Sequence, residues 1–249
     1  MKKYRVTAAT AGIILLTCGI LQGQQPKVSF QTYDCGGSGD AARTVASDGS
    51  GGFFVLANRV DGSVPSKVIV LRYHDGSSTP DMWWYAITNS SFLEAVAFAV
   101  DATNVTNPII YVSAYAESSG VRTFRTLKFD SSSGVPVWVN VFACGAVGYP
   151  VDVADAGQGI VDAGACVDPQ NPDEGLNYCL LRYASDGTLE WPSYWDGGAE
   201  RADAPSALAI GTEGTDWFAY MTGRSDQTSG PTPEWHVWTV KCNSDGDLE

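Results

Sequence analysis

The stretches TLKFDSSSGVPVW (126–138) and LLRYASDGTLEW (180–191) follow one plan. An apolar run carries a base near its end: Lys128 in one, Arg182 in the other. A turn of Asp, Ser and Gly follows, and a Trp closes it: Trp138, Trp191. The plan recurs at Val70-Leu71-Arg72-Tyr73, His74-Asp75-Gly76 and Trp84. It recurs again at Thr239-Val240-Lys241-Cys242 and Ser244-Asp245-Gly246. Upstream of each basic run lies a second apolar run: 53–57, 109–114, 160–164 and 217–223. Further upstream lies a third run ending in an apolar residue and Ala: Val45-Ala46, Phe98-Ala99, Val153-Ala154, Leu208-Ala209. Those alanines are 53, 55 and 55 residues apart.

Each unit therefore reads as four short strands bounded by Gly, Asn, Asp and Ser, the residues that tolerate positive φ or close Asx turns. No helical periodicity is sustained after residue 23. A four-stranded sheet apolar on both faces cannot bury itself alone. Stacking such sheets side by side around an axis buries both faces and leaves only short edges. The predicted fold is all-β, a β-propeller over 28–249 with units near 34–87, 88–142, 143–195 and 196–249. The strand 28–33 matches the outer strands 139–142 and 192–195 in register. It is expected to act as a latch, completing the fourth strand of the last unit and so removing an exposed edge.

These repeats resemble the bacterial seven-bladed β-propeller (SBBP) repeat family. Asp130-x-x-Ser133-Gly134-x-x-x-Trp138 is also similar to quinoprotein-type propeller repeats. The resemblance covers the chain from about residue 28 onward and implies a fold more than a function, because the repeat is a packing code. Adjacent cysteines of the quinoprotein dehydrogenases are absent, so no quinone cofactor is implied. Four units permit a four-bladed ring, an arc that dimerises into an eight-bladed ring, or a piece of a longer propeller. The four-bladed monomer is preferred because its strands balance without a partner.

Lys2, Lys3 and Arg5 precede an uncharged, mostly apolar stretch from Val6 to Leu21, the pattern of a signal peptide over 1–23. The stretch is short for an anchored membrane span. Export to the cell envelope or beyond is expected. Leu15-Leu16-Thr17-Cys18 offers a lipoprotein alternative with lipidation at Cys18, although Thr17 is unusual there.

The chain has 249 residues, with 28 acids against 15 bases and a net charge of −13. Such a field repels nucleic acid and anionic membranes. Partners are expected to be protein or carbohydrate, held by the unequal loops 58–66, 116–122, 168–176 and 224–234 on a rigid scaffold. Asp40, Glu94, Tyr149 and Asp203 precede the recurring alanines by five or six residues. On channel-lining strands they would ring the channel mouth, where oxygen ligands suit Ca²⁺; turn capping is the structural alternative. Otherwise no cofactor is expected. Trp84, Trp138 and Trp191 read as core anchors, and Trp83, Trp235 and Trp238 as surface candidates. The recurring bases Arg72, Lys128, Arg182 and Lys241 read as solvent-facing or acid-paired rather than as an anion ring. Cys166 and Cys179 flank one loop symmetrically, and an antiparallel hairpin would set them opposite for a disulfide in an oxidising compartment. His74 and His236 lack metal-ligand spacing, and no nucleophile elbow or phosphate loop is present. The leading expectation is a non-catalytic binding scaffold. A hydrolase or lyase acting on polysaccharide at the channel mouth is the alternative.

Overall fold

The turns after the basic strands are closed by their own side chains. Asp130 Oδ1 accepts the Ser132 amide at 2.8 Å and Asp186 Oδ1 the Thr188 amide at 2.9 Å. Asn243 Oδ1 takes the amides of Asp245 and Asp247 at 3.0 and 2.9 Å. These are Asx turns, and they set the hairpins that follow. The computed structural model describes residues 13–15, 29–31, 33–34, 36, 39–62, 64–75, 77, 79–86, 92–133, 135–145, 147–173, 175–197, 202–228, 232 and 234–249.

Among them lie strands β1 (Ile13–Leu15) and β2 (Ser29–Gln31), followed by four antiparallel meanders and no helix. The first meander is β3 (Gly39–Ser47), β4 (Phe53–Asp61), β5 (Val64–Tyr73) and β6 (Asp81–Ala86). The second is β7 (Phe92–Asp101), β8 (Ile109–Ser118), β9 (Val121–Asp130) and β10 (Pro136–Ala143). The third is β11 (Tyr149–Asp155), β12 (Gly159–Cys166), β13 (Asn177–Ala184) and β14 (Leu189–Trp195). The fourth has three strands, β15 (Asp203–Glu213), β16 (Asp216–Asp226) and β17 (Trp235–Cys242).

The sheets stack in chain order. Phe54, Val70, Ile110 and Leu127 share a core between the first and second. Phe124, Ile160, Cys166 and Leu181 join the second to the third, and Val161, Leu180, Met221 and Val240 the third to the fourth. The first strand of each later sheet lies against the sheet before it. Central strands are covered on both faces, so β12 is buried at every position. That accounts for the continuous apolar runs in the sequence. Polar ties cross each interface. Asn58 exchanges two hydrogen bonds with the Ala95 backbone, Asp162 accepts from Ser113 and Thr126, and Asp152 accepts the Leu208 amide.

The recurring Trp forms a clasp between sheets. Trp138 Nε1 donates to the Ser185 carbonyl at 3.2 Å, and Trp191 Nε1 to the Ser244 carbonyl at 3.0 Å. Asn140 and Ser193 add bonds to the carbonyls of Gly187 and Gly246. The two indoles rest on those glycines. A Cβ at Gly187 would sit 3.0 Å from the Trp138 ring, and one at Gly246 would sit 2.9 Å from Trp191. Both glycines have positive φ, 93° and 91°. The Asp-Gly turn of one unit is thus the socket for the Trp of the preceding unit, which explains why turn and Trp repeat together. Gly187→Ala is expected to cost roughly 1–2 kcal/mol for the left-handed backbone alone, with the ring contact added. Urea unfolding would read it as a lower midpoint at constant m. An unchanged midpoint would rule out the clasp.

Two expectations change. In the first sheet, Arg72 pairs with Asp81 where Lys128 and Arg182 pair with Trp138 and Trp191. Trp84 is therefore not the repeat Trp. It is 48% exposed and packs its ring under the Lys67 ammonium, while Trp83 is buried against Phe54. Adjacent residues of a strand face opposite ways, so a shift of register exchanged the two roles. The latch also differs. Ser29, Phe30 and Gln31 pair with Leu15, Ile14 and Ile13, not with β17. The apolar residues Ile13, Ile14 and Leu15 of the same chain supply a competing strand. The outer side of β17 instead receives a single bridge, Cys242 to Leu248, with the Glu249 amide on the Lys241 carbonyl. Cys18 and the rest of residues 1–12 and 16–28, Thr32 and Cys35 lie outside the described residues. No extensive packing joins the fourth sheet to the first among the described residues. Nor is there, among those residues, a helix long and apolar enough to cross a membrane.

Candidate functional site

The first strand of every sheet carries a β-bulge at the same place. Register breaks between Ala42 and Thr44, Ala95 and Ala97, Pro150 and Asp152, and Pro205 and Ala207. An extra residue bends the strand and re-aims the side chains beside it. Each bulge falls three residues before the recurring alanine of its strand, so all four strands bend at one point of the repeat. Asp40 stands opposite Arg59 and Asp203 opposite Ser225, one position from the places of Glu94, opposite Tyr115, and Tyr149, opposite Ala165. Counted from the bulge, Asp40 and Asp203 occupy one register position, and Glu94 and Tyr149 the next. The two pairs face opposite sides of their strands. The same offset stands in the spacing from the alanines, six residues for Asp40 and Asp203 and five for Glu94 and Tyr149.

Two of the expected site residues have local partners in the fold, Glu94 and Asp203. Glu94 forms an ion pair with Arg43 of the first sheet and accepts the Tyr115 hydroxyl at 2.9 Å. Asp203 is buried and accepts the Gly197 amide at 3.0 Å; burial pushes its carboxyl up to about 6 against the pull of Ser225 and Gly197. No group of three or more His, Cys, Asp or Glu among the described residues has metal-binding geometry. Cys166 pairs with Asn177, and Cys179 with Gly164, so the two are diagonal rather than opposite. Both are unbonded thiols here. His74 pairs with Asp81, and His236 with Glu234.

The recurring bases are acid-paired or stacked. Arg72 binds Asp48, Arg182 binds Glu190, and Lys241 binds Glu213 and Glu249. Lys128 donates to the Ser185 carbonyl. All four lie over aromatic rings: Arg72 over Phe54, Lys128 over Tyr111, Arg182 over Trp217 and Lys241 over Phe218.

The most site-like arrangement lies between the third and fourth sheets. A cavity of about 450 Å³ is lined by Tyr149, Ala204, Pro205, Ser206, Gly223 and Arg224. The bulge of β15 opens it, with Ser206 the extra residue. Gly223 keeps its wall thin: a Cβ there would meet the Ala204 carbonyl oxygen at 2.3 Å. The Arg224 guanidinium is stacked 4.4 Å from the Trp235 ring centroid and has no carboxylate partner among the described residues. Burial raises the Tyr149 phenol above its ordinary pKa, and the nearby Arg224 charge opposes that rise.

No family model and no curated protein matches this chain. The chemistry of the site itself is what points to a ligand.

Beside the cavity, β17 presents Trp235, Val237 and Trp238, exposed by 42%, 84% and 38%. Trp235 and Val237 share one face of the strand and Trp238 takes the other, so a single exposed indole stands beside the Arg224 cation. The neighbouring loop is held by its own side chains, since Asp226 Oδ1 accepts from the amides of Thr228 and Glu234 and from the Thr228 hydroxyl. A second cavity, of about 520 Å³, lies at the opposite turns of the same two sheets, against Asp155, Gln158, Thr212 and Trp217. Asp155, whose pKa burial raises, lines it and no Lys or Arg does, so it offers an anion no cation. Trp235 and Trp238 were legible as surface aromatics. Arg224 was not, because it lies off the recurring basic position and only the fold sets it beside Tyr149.

Proposed function

We propose that this chain is an exported, non-catalytic β-propeller of the SBBP repeat kind that binds a carboxylate-bearing glycan between its third and fourth units. The observation that carries the reading is Arg224, stacked on exposed Trp235 at a cavity shared with Tyr149 and Ser206. In a chain of net charge −13, a carboxylate is held off everywhere except where a cation stands alone. A guanidinium grips a carboxylate in two-point geometry, and an indole face stacks on the apolar face of a sugar ring. An acidic segment of a protein partner is the second occupant that the loops could serve.

Closure belongs to the same reading. With the leader removed, the strand 28–33 is free to add to the outer edge of β17 and complete the ring as a four-bladed monomer. The alternative is a ring completed by a second copy.

Calorimetric titration with uronate oligosaccharides tests the binding. Arg224→Ala and Trp235→Ala should each weaken it by roughly tenfold or more, from a lost charged contact of about 1.5–3 kcal/mol and a lost stacking contact. Binding should weaken with added salt. Equal affinity for neutral oligosaccharides, or an unchanged Arg224→Ala variant, would sink the proposal.

A further inference from the structure

Three cysteines meet where the second sheet joins the third. Cys144 follows β10, Cys166 ends β12 and Cys179 lies in β13; all are fully buried in one core cluster with Phe124 and Leu181. The Cys144 thiol donates to the Phe142 carbonyl at 3.4 Å. Backbone geometry separates the two possible partners of Cys166. Cys179 is the diagonal neighbour of Cys166 across the hairpin. Diagonal neighbours stand about 7–8 Å apart, beyond the Cα span of about 4.4–6.8 Å that disulfides use. Cys144 is brought in differently. The Val167 amide, one residue past Cys166, donates to the Cys144 carbonyl at 3.2 Å. The packing there is tight enough that a Cβ on Gly148 would stand 2.3 Å from Cys144 Cβ and 2.9 Å from the Ala165 oxygen.

We propose that Cys144 and Cys166 join when the chain is oxidised, tying the second sheet to the third, and that Cys179 stays a thiol. A low-molecular-weight disulfide such as glutathione disulfide serves as oxidant. One cysteine thiolate attacks it to give a mixed disulfide and one glutathione. The second cysteine then attacks the mixed disulfide, releasing the second glutathione. Two S–H bonds are lost and one S–S bond forms, and two electrons and two protons pass to the oxidant. Burial holds all three thiols in the protonated form in the folded sheets. The bond therefore forms while the second and third sheets are still closing, since only the thiolate attacks.

The test is refolding of the full chain in a glutathione redox buffer, alkylation of remaining thiols, and peptide mapping without reduction. The expected map joins the Cys144 and Cys166 peptides, with Cys179 alkylated only after unfolding. Folded, reduced protein placed in the same buffer should gain the bond at least tenfold more slowly. Cys179→Ala should leave the bond in place. A Cys166–Cys179 peptide, Cys166 recovered as a thiol or bound to any other cysteine, or loss of the bond in Cys179→Ala would each overturn the proposal.

Discussion

Asp48→Ala is expected to lower the unfolding free energy by about 3–5 kcal/mol, the usual cost of stranding a buried charge. Asp48 is fully buried beneath the first turn of the first sheet. Its Oδ1 accepts the amides of Ser50 and Gly52 at 2.8 and 2.9 Å, and its Oδ2 the Ser50 hydroxyl at 2.8 Å. Arg72 Nε and Nη2 reach the same Oδ2 at 3.1 and 2.9 Å, and Nη2 continues to the Val105 carbonyl of the second sheet at 3.2 Å. Burial by itself would raise the Asp48 pKa; the bonds from Ser50 and Arg72 outweigh it and hold the carboxyl below the ordinary range. Alanine removes every one of these acceptor contacts and leaves a guanidinium that is only 8% exposed. Chemical denaturation at neutral pH would measure the loss. Removing Arg72 as well, by Arg72→Met, should recover part of it, because the unpaired charge goes too. A single-variant loss under about 1 kcal/mol would show that Arg72 reaches water instead, and the clamp would not stand.

Stability should also fall by several kcal/mol between about pH 4 and pH 7, and Asp162→Asn should abolish most of that fall. Asp162 is fully buried between the second and third sheets and accepts the hydroxyls of Ser113 and Thr126, both at 2.6 Å. Burial pushes its pKa up to about 7; the two hydroxyls pull it down, and Asp152 pushes it further up. In the unfolded chain the group titrates near its ordinary value, about 3.9. Between those values the folded state holds a proton that the unfolded state has lost. The stabilisation is complete below the unfolded pKa and is lost as pH rises through the folded one. A carboxyl raised from its ordinary value to about 7 stands for roughly 4 kcal/mol of such stabilisation. Asp203, raised to about 6, acts with the same sign. Asp48, lowered, acts with the opposite sign and loses its contribution as pH falls through its folded value. The stability maximum is therefore expected on the acid side of neutrality. Urea midpoints at pH 5 and pH 8, for the parent and Asp162→Asn, decide the matter. A parent whose midpoints coincide would rule out a proton held by Asp162.

The candidate site was partly legible. Trp235 and Trp238 stood off the repeat Trp position and read as surface aromatics, which their exposure on β17 bears out. Arg224 and Asp162 drew no expectation, yet Asp162 left a trace. It is the one charged residue of GIVDAGAC, a strand with no polar face to receive it. The expected ring of Asp40, Glu94, Tyr149 and Asp203 divides into two pairs: Asp40 and Asp203 stand six residues before the recurring alanine and Glu94 and Tyr149 five, and one residue turns a side chain to the other face.

From its own sequence the chain determined the number of sheets, their strand order and the turns between them. Those depend on local causes: apolar runs too short for helices, and Asp, Asn and Gly at positions that demand Asx turns or positive φ. Tertiary structure alone decided which residues meet across sheets. The socket of Gly187 for Trp138, the burial of Trp83 in place of Trp84, the pairing of Ser29–Gln31 with Ile13–Leu15 and the convergence of Cys144 on Cys166 depend on register and on packing between units. A period of about 55 residues repeats the local pattern faithfully. It does not record which residues of neighbouring units meet, and register and packing govern what each strand offers its neighbour.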